Sequence, residues 1–146
     1  MNDSGDAAAA GTPALARVDA RRPWAAVVGY SRAVRQGNLV EVSGTSATTA
    51  EGTVHAPGDP YEQTRYILGE MLSAMAELGA HAHDVVRTRV YLTDIAHWSE
   101  VGRAHGEVFG DVLPASSFVE INRLMLPELV VEVEITAIVT ADTDHG

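Results

Sequence analysis

Two carboxylates, Glu132 and Glu134, interrupt the apolar run "VEVEITAIV". Side chains alternate along a strand, so both acids share one face. An ionised acid among apolar neighbours is costly unless it is paired or hydrogen-bonded. In one reading Glu132 is a general base that orients and deprotonates a water, with desolvation raising its pKa to suit. In the other, both acids pair with Arg87, Arg89 or Arg123 along the sheet, or face solvent. Spacing leaves both readings open.

Other side chains carry the same kind of double reading. Tyr30 offers a hydroxyl to a ligand or a water, or packs as an amphipathic edge residue. Ser43 and Gly44 follow an apolar stretch and either line a cleft or simply end a strand. Ser116 and Ser117 lie in "PASS" without a G-x-S-x-G context or an assignable His-Asp pair. They are read as pocket lining, not as a nucleophile. Phe118 shares the strand face of Ser116 and makes that surface more apolar. On the second helix, His105 is expected to point inward, in the core or in a cleft. Arg103 is either an exposed helix arginine or a guanidinium reaching the site. The remaining histidines are His55, His81, His83, His97 and His145. "HAH" at 81 and 83 follows a helix end, where histidine suits the dipole. No further ligands can be assigned around it, so no metal site is expected.

The chain has 146 residues, enough for one domain with a real core. Its formal net charge of −10 repels phosphate backbones, so nucleic acid is not an expected partner. The absence of cysteine removes disulfides and thiol nucleophiles, and it fits a reducing, cytoplasmic setting. No apolar run is long enough to cross a bilayer, and no membrane partner is expected. Asp3 and Asp6 stand where a signal peptide would be basic. Residues 1–20 read as a flexible N-terminal tail, 21–140 as the single domain and 141–146 as a C-terminal tail.

The elements that must position these residues follow from pattern. Two apolar runs flank Gly37-Asn38 and read as a hairpin. Asp59, Pro60 and Glu62 begin a helix whose inward face is Thr64, Leu68, Met71, Leu72, Met75 and Leu78, ended by Gly79. "VVRTRVYL" alternates as a half-buried strand, with Val86, Thr88, Val90 and Leu92 inward. "AHWSEVGRAHGEVFGD" is a second helix with Trp98, Val101, His105 and Val108 or Phe109 inward. "PASSFVEINRLMLPELVVEVEITAIV" gives two strands joined by a short turn near Leu126-Pro127. The order is β-β-α-β-α-β-β, an α+β fold with two helices covering one sheet face. The other face is left apolar and bare, which is expected to drive oligomerisation.

Taken in order, "YSRAVRQGNLVEVSG", the capped helix, "VVRTRVYLTDI", "PASSFVEINRL" and "VEVEITAIV" resemble the RidA family, also called YjgF or Rid proteins. The resemblance runs from about Tyr30 to Val139. It implies a chorismate-mutase-like fold, a homotrimer and small-molecule clefts between subunits. It also implies hydrolysis of imines and enamines, such as 2-iminoacids, without metal or organic cofactor. Tyr30 matches the family tyrosine before the hairpin, and Glu132 matches the carboxylate on the last strand. Ser43 and Gly44 match the cleft-lining backbone. The family arginine that grips the substrate carboxylate in "P-A-R-S" falls on Ser116. Subgroups without that arginine generally lack the imine-deaminase activity. The resemblance therefore implies a Rid-type enzyme acting on an imine, enamine or related labile C–N compound, though not a standard 2-iminoacid deaminase. The alternative is a non-catalytic, metabolite-binding or chaperone-like trimer.

Overall fold

The computed structural model describes residues 15–140; the expected tail residues 1–14 and 141–146 lie outside the described residues. Six strands form one sheet: β1 (Ala16–Asp19), β2 (Ser31–Gln36), β3 (Leu39–Ser46), β4 (Val85–Leu92), β5 (Ala115–Glu120) and β6 (Val131–Ile138). Their order is β1-β2-β3-β6-β4-β5. Every neighbouring pair is antiparallel except β4 with β5. Helices α2 (Pro60–Glu77) and α3 (Trp98–Phe109) pack on each other, and α2 packs on β3 and β6. A one-turn helix, α1 (Ala25–Val28), precedes β2.

The local chemistry explains these elements. Gln36 pairs with Leu39 across a two-residue turn that begins at Gly37, where φ is 62°, a value that favours glycine. The Asp59 side chain accepts from Glu62 N at 3.0 Å and caps α2, with Pro60 in its first turn. The buried stripe of α2 comprises Gln63, Thr64, Ile67, Leu68, Met71, Ala74 and Met75. It meets Val131, Val133, Ile135 and Ala137, the fully inward residues of β6. Gln63 is a buried clamp within this core. Its Nε2 donates to Ala56 O and Glu128 O at 3.1 and 2.8 Å, and its Oε1 accepts from Val130 N at 3.0 Å. The start of α2 is thereby tied to the segment that leads into β6.

Several sequence expectations are corrected. Residues 16–19 form edge strand β1, antiparallel to β2, and Val18 and Ala20 are buried, so the tail does not extend to residue 20. The single inward valine of "ARVD" is too little apolar pattern to announce a strand. In β4 the register shifts between Val85 and Arg87, so Val85 is buried and Val86 is exposed. Trp98 opens α3 with 61% exposure and does not point into the core. The last two strands are not neighbours, because β4 lies between β5 and β6. The sheet face away from the helices is also not a bare apolar surface. Alternation and register place Glu41, Arg87, Arg89, Tyr91, Ser117, Glu132, Glu134 and Thr136 on it. Many of these are engaged: Thr136 Oγ1 donates to Glu41 at 3.0 Å and Arg87 Nη2 to Ser117 Oγ at 2.9 Å.

Two stability outcomes follow. Gln63→Ala strands buried backbone groups that now have partners, and each such loss costs about 1–3 kcal/mol. Chemical denaturation should show a loss of ~2 kcal/mol or more. Deleting residues 1–20 should lower Tm by about 4 °C or more relative to deleting 1–14, the shift expected for about 1 kcal/mol in a domain this size. Equal melting of the two truncations would mean that β1 adds nothing to the fold.

Candidate functional site

The central feature lies where β3 meets β6. Val42 pairs with Ile135, but the next regular pair is Thr45 with Val133, so β3 carries an extra residue against β6. Gly44 sits in this bulge. A Cβ on Gly44 would lie 3.0 Å from Glu132 Oε2 and 3.2 Å from its Cδ. The missing side chain is therefore what admits the Glu132 carboxylate to the strand. Among the described residues, no donor lies within hydrogen-bond distance of that carboxylate. Burial pushes its pKa up, Glu134 on the same face adds to the rise, and Arg32 opposes it.

Glu132 opens into a cavity of about 260 Å³. Its walls include Trp24, Tyr30, Arg32, Ser43, Gly44 and Met125. Tyr30 enters from the start of β2, and its hydroxyl accepts from Trp24 Nε1 at 2.9 Å. The phenolic proton remains available to a ligand or a water. Ser43 spends its hydroxyl on Ser31 O at 2.7 Å, which fixes the β2–β3 pair at this level. The fold thus brings Tyr30, Ser43, Gly44 and Glu132 into one pocket. Sequence reasoning missed Trp24, Arg32 and Met125. Arg32 had a usable signal, since it lies two residues from Tyr30 at the start of the same strand.

Ser116 belongs elsewhere in the chain. It lies on edge strand β5, opposite Thr88 of β4, and so on the helix-facing side of the sheet. Thr88 Oγ1 donates to Ser116 Oγ at 2.7 Å and lies 2.9 Å from His105 Nε2. Thr88 has one hydroxyl proton, already committed to Ser116, so His105 Nε2 is the donor to Thr88. Burial lowers the His105 pKa and keeps the imidazole neutral. The Ser116 proton is left free. Phe118 stands edge-on to His105, with ring centroids 5.7 Å apart. Ser116, Phe118 and His105 are therefore together, but on the opposite sheet face from Glu132.

Arg103 joins neither group. Its guanidinium stacks on the Tyr61 ring at 3.7 Å, and the Tyr61 hydroxyl donates to Glu107 at 2.8 Å. Arg123 makes no ion pair among the described residues. It lines a second hollow that shares Ser46, Met125 and Glu132 with the first cavity. His81 and His83 stack on each other, and among the described residues no group of three or more His, Asp or Glu side chains could hold a metal ion.

Known proteins share this architecture. The family model described as Endoribonuclease L-PSP matches residues 20–139. An uncharacterised Streptomyces coelicolor protein is 37% identical over 124 residues, spanning 85% of this chain and 92% of its own. A RutC family protein of Pyrococcus abyssi is 32% identical over 74% of this chain and 84% of its own. A Mycobacterium tuberculosis protein of the YjgF/YER057c/UK114 family superposes with a TM-score of 0.78 at 41% identity, covering 86% of this chain and 100% of that one. With the sheet order, the bulge and the strand-borne carboxylate in place, the chain belongs to the Endoribonuclease L-PSP family, also known as YjgF or RidA.

Proposed function

We propose that this protein is a Rid-type hydrolase of imines, enamines or related labile C–N compounds, with Glu132 as the base. The observation that carries this reading is a half-buried carboxylate, without a hydrogen-bond donor, that a glycine admits to a small cavity beside a tyrosine hydroxyl. In the reaction Glu132 takes a proton from water as its oxygen adds to the C=N carbon, and it passes that proton to the nitrogen to give a carbinolamine. As the carbinolamine collapses, Glu132 takes the hydroxyl proton, the C=O bond forms, the C–N bond breaks, and Glu132 delivers that proton to the departing ammonia. The products are a carbonyl compound and ammonia. Tyr30 holds the ligand or the water through its free proton.

Ser116 shapes the substrate range. It offers one neutral hydrogen bond where the family arginine would offer two charge-assisted ones. The β5 side of the site therefore suits a group that is not a carboxylate, and the protein is not a standard 2-iminoacid deaminase. Glu132 and Ser116 lie on opposite sheet faces of one chain, which supports a homotrimer in which clefts between copies complete the site. Polyanion cleavage has less support. The groove that carries Arg17, Arg21 and Arg22 also holds Asp19, and Arg21 and Arg22 each lie 3.9 Å from an acid, Glu77 and Glu70.

Glu132→Gln should lower the turnover of imines generated in situ by amine or amino-acid oxidases by roughly 10²-fold or more. The wild-type rate should fall on the acid side at a pH above the ordinary glutamate range, and the variant should lack that limb. The folded-state pKa of Glu132 is raised. Its stabilising contribution is thus full below the unfolded-state pKa and is lost as pH rises through the folded-state value. At neutral pH the Gln variant should therefore melt no lower than wild type. Saturable binding without turnover in the wild type would favour the metabolite-binding trimer instead.

Sedimentation equilibrium should give a mass roughly three times that of the 15.5 kDa chain at micromolar concentration. A stable monomer would remove the shared cleft.

A further inference from the structure

We infer that Arg32 is a substrate-binding residue that anchors a carboxylate carried by the imine or enamine, so that the acid end enters from β2 and not from β5. This rests on reading the Glu132 cavity as the reaction site. The reaction class is unchanged; the inference names where the substrate is gripped.

Arg32 is only 7% exposed, yet no carboxylate lies within 4.0 Å of it among the described residues. Buried guanidinium groups ordinarily have an acid partner. Here Nη1 donates to Thr45 Oγ1 at 2.8 Å and to Gly44 O at 3.3 Å. The Tyr30 hydroxyl is a further neutral partner of the guanidinium, and no carbonyl or carboxylate among the described residues accepts from Nε or Nη2. Glu70, the acid of α2 that influences Arg32, lies 3.9 Å from Arg22. Arg32 and Glu132 line the same cavity without pairing. Both bonds from Nη1 go to the β3 bulge, so the guanidinium is held back from the acid. A planar ligand carboxylate fits the remaining donors, because the guanidinium fork matches its two oxygens. The imine or enamine carbon of the same molecule would then lie toward Glu132. The charge of Arg32 would offset the repulsion between the incoming carboxylate and Glu132.

The test is binding, separate from turnover. Trp24 lines the cavity and serves as a fluorescent reporter. Isobutyrate and its neutral isostere isobutyramide are titrated into the full-length protein, with the Trp98→Phe background isolating Trp24. Wild type should bind the carboxylate about tenfold more tightly than the amide, the margin of charge-assisted over neutral hydrogen bonds. Arg32→Gln should abolish that margin, whereas Arg32→Lys should keep part of it, since it keeps the charge without the fork. Glu132→Gln should keep or widen it by removing the competing negative charge. Equal affinities in wild type, no binding of either probe, or a full margin in a folded Arg32→Gln would overturn the inference. If Arg32→Gln does not fold, a full wild-type margin in Arg32→Lys overturns it and a reduced one supports it. Imine turnover that depends on Glu132 but shows no carboxylate preference would sink the anchor and leave the hydrolase reading intact.

Discussion

The close approach of the Glu132 carboxylate to Gly44 is the constraint on which the rest of the site depends. It exists because β3 bulges between Val42 and Thr45 and because the residue in that bulge has no side chain. The bulge also presents Gly44 O and Thr45 Oγ1 to Arg32. One irregularity in the ladder thus sets the positions of both charges. Were β3 regular here, nothing would hold the guanidinium back, and an arginine beside a half-buried acid would close into an ion pair. Bulges next to active sites commonly re-aim side chains in this way.

The same sheet face shows how the fold treats polar groups that have no such task. Glu41 accepts from Thr136, and Arg87 donates to Ser117. Glu132 has no such donor, although its burial raises its pKa. A half-buried acid without a donor destabilises its surroundings. Glu41, Thr136, Arg87 and Ser117 on this face are hydrogen-bonded, whereas Glu132 combines half-burial with the lack of a donor. Local departures from the rules that govern the rest of a fold concentrate where function requires them.

Much of this was legible in the sequence. Helix α2 announces itself through Asp59, Pro60 and the stripe from Thr64 to Leu78, and the hairpin through Gly37-Asn38. Glu132 stood out as an acid in an apolar strand. The missed features have specific causes. Strand β1 has one inward valine and lies at a sheet edge, where its partner β2 decides its structure. Val85 replaces Val86 inside because a bulge shifts the alternation, and strict period-two counting cannot see it. Arg32 reads as the polar residue of an amphipathic strand until its lack of an acid partner is known. The polar open face was hidden because apolar β6 was judged by composition, when its polar residues all fall on one side.

The division of the expected site between two sheet faces has a geometric origin. Strands β4 and β5 are parallel, linked through α3, and their register places Ser116 beside Thr88 under that helix. Glu132, on β6, alternates with the buried valines and must face the other way. Within one chain β4 stands between them, so a ligand that touches a Glu132 and a Ser116 together would have to touch two chains. The hydrogen-bond chain from His105 through Thr88 ends on the Ser116 oxygen, which leaves that hydroxyl as an outward donor. A donor of this kind favours a carbonyl or another neutral acceptor. The cation that a carboxylate requires lies on β2, across the cavity from Glu132. On the proposed reading, hydrogen-bond polarity and strand register would set a neutral acceptor at β5 and an anion at β2, with the susceptible carbon between them at Glu132.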